Sequence, residues 1–217
     1  YGIGDAKLPL WRQLIESMKS YADDLGVLDP ASTARIEGHL RDGTLIAATD
    51  MLVDAIGPTL FRAFVRQELD VKQKTLSPAA LSLVIIAWSI IVTTNIDETL
   101  ETAIEQKFAR RPPVVTHRQT PELIDAINSP RAGDATTLAK IHGTLDDFAS
   151  WCLTEKHYQR LIERADYQEI LRSLFLKRLF FVGFGLADRD FDLVQDYLER
   201  IFPDGDVDSY ALVPDSM

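Results

Sequence analysis

A carboxamide, an imidazole and a pair of glycines are the groups in this chain whose setting points to chemistry. Each follows the abrupt end of an apolar run. Ile90-Ile91-Val92 passes into Thr93-Thr94-Asn95-Ile96-Asp97, and the run from Leu138 to Ile141 ends at His142-Gly143. Leu179-Phe180-Phe181-Val182 passes into Gly183-Phe184-Gly185-Leu186-Ala187-Asp188. An apolar run that stops at polar or glycine residues is the pattern of a buried parallel strand delivering groups at its carboxyl end. In open α/β sheets the ligand crevice lies outside those ends. Asn95 offers a donor and an acceptor on one group, which suits ribose hydroxyls, and Asp97 can reach the same crevice. His142 has the side chain whose ordinary pKa lies nearest working pH, so it can act as a general base. Gly143 lets a ligand approach the backbone closely. Gly183 and Gly185 form half of a dinucleotide fingerprint, whose backbone N–H groups and following helix start can hold phosphate.

Blander readings stand beside each of these. Asn95 or Asp97 can simply cap the next helix. His142 can be a hydrogen-bonded, half-buried ring. The two glycines can serve turn geometry alone, and Asp188, with Asp190 and Asp192, can be a solvated helix start favoured by the helix dipole. His39, His117 and His157 fall on polar helices or a loop, have no assigned role, and are too scattered to form a metal site. Trp11 and Phe184 are aromatic candidates for stacking on a ligand ring, with core packing the simpler use of Trp11.

The elements that must carry these groups follow from periodicity. Apolar residues at 11, 14, 15 and 18 form one stripe of a first helix, with Pro9 near its start and Gly26 as a stop. Residues 30–70 read as helical throughout, with Asp29 and Asp42 as N-caps, Gly43 and Gly57 as punctuation and Pro58 restarting a helix. This stretch, about 27–70, is expected to be a helical insertion. Ser77 caps a helix running to about Trp88. The β-branched cluster at 90–93 is a strand, 97–107 a helix, 114–116 a short strand after Pro112-Pro113, and 121–127 a short helix. Strand 138–141, helices 154–164 (capped by Thr154) and 167–176, strand 179–182, helix 190–201, a turn at 203–205 and strand 209–213 complete the chain. Strands alternating with helices imply an α/β fold: a Rossmann-like parallel sheet with helices on both faces. The 217 residues suffice for one such domain, and the absence of an initial methionine predicts a domain cut at its N-terminus from something longer.

The totals narrow the function. The charge, 23 basic against 33 acidic side chains, gives −10 and disfavours direct binding of nucleic acid or an anionic membrane surface. The apolar stretch 79–92, broken by Ser82 and Ser89, is too short for a membrane span of about 20 residues. The single cysteine, Cys152, excludes an internal disulfide and a cysteine-based zinc site, and its neighbours Trp151 and Leu153 predict burial. A reducing cytoplasm fits this composition.

In order and spacing, these segments resemble the sirtuin-like (silent-information-regulator-type) NAD hydrolase domains of bacterial anti-phage defence proteins. The resemblance runs from Leu8-Pro9-Leu10-Trp11, similar to that family's GLPxW helix start, through Thr93-Thr94-Asn95-Ile96-Asp97 and Ile141-His142-Gly143. It continues through Leu153-Thr154-Glu155-Lys156-His157-Tyr158, similar to an LTxxxY stretch, to the segment 181–188. It implies NAD+ as substrate, with no metal. Asn95 would orient the nicotinamide ribose and a nucleophilic water, and His142 would be the base toward a ribose hydroxyl or water. Asp97 would be the carboxylate near the nicotinamide amide, and Thr93, Thr94 and Gly143 would help bind NAD+. Gly183 and Gly185 would line the adenosine-side phosphate and ribose pocket, with Phe184 and Asp188 also binding NAD+. Two features depart from the family. A glycine-rich first loop of the type GAGxS would lie upstream of Tyr1, and the four-cysteine zinc module of protein-deacylating sirtuins is missing, which argues against histone-type deacylation. The implied activity is cleavage of the nicotinamide–ribose bond in an abortive-infection effector that assembles as a homo-oligomer or with other subunits of a defence complex. The alternatives are a non-catalytic NAD+ or ADP-ribose sensor and an oligomerisation module.

Overall fold

Three short parallel strands, β1 (Ile90–Thr93), β2 (Val114–Thr116) and β3 (Thr137–Lys140), form the central sheet in the order β1-β3-β2. The computed structural model describes residues 8–71, 75–76, 78–129, 136–183 and 209–212. In the register, Thr93 stands opposite Lys140, and Lys140 opposite Thr116. All three strands therefore stop at one edge. A second parallel pair joins β4 (Phe180–Val182) to β5 (Tyr210–Leu212). Phe180 and the β5 residues are exposed among the described atoms, whereas the apolar run there had pointed to a buried strand.

Side-chain alternation sends the central strands into two cores, as the period of a strand requires. Ile90 and Val92 of β1, with Ala139 of β3 and the following Ile141, face helices α6 (Thr120–Asn128), α7 (Glu155–Ile162) and α8 (Ala165–Phe175). Their fully buried partners include Leu123 and Ile170. Ile91 faces the other way, towards Val84 of α4 (Pro78–Ile85) and Ala103 and Ile104 of α5 (Thr99–Phe108). The sheet is thus covered on both faces, the layered solution a parallel sheet demands.

The N-terminal helices α1 (Trp11–Asp24), α2 (Pro30–Asp42) and α3 (Leu45–Glu68) extend the second of these cores. Leu14, Ile15 and Met18 form the buried stripe of α1, and they share one apolar cluster with Leu52, Phe61, Ile96 and Trp151. The stretch expected as an insertion thus shares one apolar cluster with α4, α5 and the loops that follow the central strands. Trp11 packs against the same cluster. Asp29 caps α2, accepting from the N–H groups of Ala31 and Ser32. Asp42, expected as a second N-cap, is instead the last residue of α2. Gly43, at φ 75°, ends that helix in the left-handed conformation that glycine adopts without strain. Gly57 (φ 78°) kinks α3 immediately before Pro58. Helix α4 stops at Ile85, short of Trp88, whose indole N–H donates to the Leu83 carbonyl. Ser77, the helix expected at 190–201 and the turn at 203–205 lie outside the described residues.

Candidate active site at the carboxyl ends of β1 and β3

The residues expected to do chemistry come from two adjacent strands. Asn95 lies two residues beyond Thr93, and His142 two residues beyond Lys140, the pair that stand opposite each other in the β1–β3 ladder. The ladder runs on past the strand ends. Ile141 N–H donates to the Thr93 carbonyl at 3.0 Å, and Leu145 N–H donates to Ile96 O at 2.8 Å. The β1 and β3 loops are therefore stitched together on either side of the two candidates.

The β1 loop is shaped by its own hydroxyl and carboxylate groups. Thr93 Oγ1 accepts from Asn95 N–H at 3.0 Å, and Asp97 Oδ1 accepts from Thr99 N–H at 2.9 Å. Asp97 is buried and serves as the turn residue that starts α5. Thr93, Thr94 and Asn95 remain partly exposed at the sheet edge.

His142 is almost wholly buried. Its ring meets Tyr158 edge to face, with centroids 5.1 Å apart, and Nδ1 lies 3.5 Å from the Tyr158 hydroxyl. Burial, with the His117 ring adding a smaller push, lowers its pKa from 6.5 to about 3. The imidazole is therefore neutral at physiological pH and keeps one ring nitrogen as a hydrogen-bond acceptor. Its backbone carbonyl accepts from Cys152 N–H at 3.0 Å, which ties the turn to the buried segment 151–153.

Gly143 has a different use from the one its type predicts. Its φ is 97°, and a Cβ built there would overlap the carbonyl and side chain of Ser150. The group that approaches this glycine closely is Ser150 of the same chain. Ser150 Oγ also accepts from Thr144 N–H at 3.0 Å, and the Trp151 indole donates to Thr144 O at 2.8 Å, so the loop after His142 is internally fastened.

His117 is the residue whose place the linear sequence concealed. It follows β2 as His142 follows β3, and it is buried. Its Nε2–H donates to Ser150 O at 2.8 Å, while Nδ1 accepts from the Arg164 guanidinium at 3.1 Å. Those two bonds define a neutral ring with its proton on Nε2. Burial, the leading cause, and the nearby Arg164 charge both push its pKa down. Arg164 is in turn held by Asp166, whose carboxyl it lowers to about 2. His117 thus fixes Ser150, and Ser150 fills the space beside Gly143. A signal existed: Val114-Val115-Thr116-His117 repeats the pattern of an apolar run ending at an imidazole.

Two cavities of about 290 and 320 Å³ open around Asp146 and Asp147, in the loop beyond His142. Glu98, Glu101, Arg111, Thr116, Gln119 and Thr144 line the larger one, at the start of α5 and the end of β2. Neither is lined by Asn95 or His142. Gly183 has φ 66° at the end of β4, while Phe184, Gly185 and Asp188 lie outside the described residues. Among the described residues no group of three or more His, Cys, Asp or Glu side chains is placed to hold a metal ion, and no helix is long and apolar enough to cross a membrane.

Comparison with known proteins adds one match. A family model described as "SIR2-like domain" covers residues 89–217, more than half of the chain. The span begins one residue before β1 and includes Asn95, His142 and Gly183. No curated protein matches the chain.

Proposed function

This chain belongs to the SIR2-like domain family, whose chemistry is built on NAD+, and from that premise we propose that it is an NAD+ glycohydrolase. One observation carries the reading. The Asn95 and His142 loops leave neighbouring parallel strands at matched positions, so a carboxamide and a neutral imidazole belong to one sheet edge.

The reaction needs little covalent help. As the bond between the nicotinamide nitrogen and ribose C1′ breaks, its electron pair returns to the ring and a neutral nicotinamide leaves. Positive charge develops on the ribose, and a water oxygen then bonds to C1′ and loses a proton, giving ADP-ribose. Catalysis of such a step rests on positioning and on charge stabilisation. Asn95 holds the ribose hydroxyls and the attacking water. His142 accepts a hydrogen bond from a ribose hydroxyl or that water. A ring with a pKa near 3 is a weak base towards bulk water. It suffices here, because water bound to an oxocarbenium carbon is a far stronger acid than imidazolium. Asp97, by starting α5, holds the loop that presents Asn95. Thr93, Thr94 and Gly183 complete the proposed NAD+ pocket. Resemblance to defence-associated domains supports a role as an anti-phage effector acting in an oligomer.

The test is nicotinamide release from NAD+ by the full-length protein. Asn95→Ala and His142→Ala are each expected to reduce turnover by roughly 10²–10⁴-fold while keeping a wild-type circular dichroism spectrum, His142→Ala melting at a lower temperature because it empties a buried site. Undiminished NAD+ consumption by a folded double variant would refute the assignment. Tight NAD+ binding by calorimetry, with no release from wild type, would favour a sensor instead.

A further inference from the structure

Lys140 stands two residues before His142 on β3, and its side chain is fully buried, at 0% exposure. A buried ammonium is tolerated only where it is paired and its hydrogens are used. Lys140 has three N–H donors and three acceptors: Ile96 O at 3.1 Å, Asp97 O at 2.5 Å and Glu101 Oε1 at 2.6 Å. All three acceptors follow Asn95 closely in the chain. A side chain rooted in the His142 strand therefore grips the backbone that leads away from Asn95. The geometry matches the need of the site, since two catalytic groups on separate strand-end loops must keep a fixed separation while a sugar sits between them.

Resting on the glycohydrolase reading, we propose that Lys140 is a positioning residue, fixing the Ile96–Asp97 backbone and so the reach of the Asn95 carboxamide relative to His142. It exchanges no proton with substrate. Glu101 completes the device by neutralising the ammonium. Burial pushes the Glu101 carboxyl up, against the opposing pull of Lys140, so the pair depends on its two members together. Among the described residues, Glu101 Oε2 and Thr99 Oγ1 are buried without hydrogen-bond partners, so it is Lys140 that holds the carboxylate at the start of α5.

The experiment compares full-length wild type with Lys140→Met/Glu101→Met, which removes both charges and avoids stranding either one. Two readouts are taken: kcat and KM for NAD+, and amide hydrogen exchange at residues 95–98 relative to α6 and α8. The expected result is a kcat lower by about 100-fold, the scale of a misplacement of roughly 1 Å, with KM changed less than threefold. Exchange at 95–98 rises while the helices stay protected. If this variant does not fold, Lys140→Gln/Glu101→Gln replaces it under the same criteria, since neutral amides there are too short to hold both carbonyls. A folded variant with kcat within threefold of wild type, or with unchanged exchange at 95–98, overturns the proposal. If wild type itself releases no nicotinamide, the glycohydrolase reading fails, and the exchange comparison alone decides the role of Lys140.

Discussion

Acidification should expose the cost of keeping His142 neutral. In the folded protein its pKa is lowered to about 3 from the ordinary 6.5, chiefly by burial. Between those values the unfolded chain binds a proton that the folded chain does not. Stability therefore rises with pH across that window. The contribution is complete above pH 6.5 and is lost progressively as pH falls towards 3. One pKa unit corresponds to about 1.4 kcal/mol, so lowering the pH from 7 to 4.5 removes roughly 2–3 kcal/mol through this ring alone. That is a large share of a typical stability of about 5–15 kcal/mol. Other groups titrate over the same range, so the measurement is a difference. Urea unfolding of wild type and of His142→Gln is followed at several pH values from 7 to 4.5. Glutamine cannot titrate, so the wild type should lose roughly 2–3 kcal/mol more than the variant on going to pH 4.5. The Tyr158 hydroxyl and the neutral His117 ring surround the site in both proteins. Two stability curves that stay parallel within about 0.5 kcal/mol would show that the ring takes up a proton in the fold as readily as outside it, and the reasoning would fail.

The same neutral ring shapes the proposed activity. A pH profile of kcat/KM for NAD+ should lack an acid limb near 6.5 and decline only below about pH 4, which steady-state assays across that range would show. Gly143→Ala should destabilise the protein by at least about 1–3 kcal/mol, the usual cost of a strained backbone conformation, with the overlap on the Ser150 carbonyl adding to it. Its denaturation midpoint reports this, and Ser150→Ala in the same chain should rescue little because the carbonyl remains. Lys140→Met alone should cost about 3–5 kcal/mol by stranding the buried Glu101 carboxylate, whereas the double replacement with Glu101→Met should fall close to wild type. Chemical denaturation of the two variants side by side separates these outcomes.

Much of the architecture was legible because local signals and tertiary packing agree. The β-branched cluster at 90–93 forms a strand of those bounds, and Val114–Thr116 does the same after the Pro112-Pro113 break. Asp29 and Thr154 cap the helices they were expected to cap, because an N-cap acts on N–H groups only two or three residues away. Asp42 misled for the same local reason: an acidic residue before a glycine can begin one helix or end another, and here the αL turn at Gly43 ends α2. Cys152 is buried between Trp151 and Leu153, as a lone cysteine in an apolar setting should be.

The site divides along the same line. That Asn95 and His142 stand at strand ends was written in the sequence, since an apolar run stopping at a polar side chain is a one-dimensional pattern. That β3 lies between β1 and β2, so that these two loops are neighbours, was decided by strand order, which no local pattern encodes. The sequence alone likewise assigned Lys140 no role, presented Gly143 as space for a ligand and left His117 unassigned. Only the folded chain shows that Lys140 meets Glu101 from 39 residues away, that Ser150 occupies the space beside Gly143, and that His117 holds Ser150 across 33 residues. The physical reason is one of range. Propensity, capping and periodicity act over a few residues, whereas burial, charge pairing and the pKa of an enclosed ring are set by whichever distant segments pack against them.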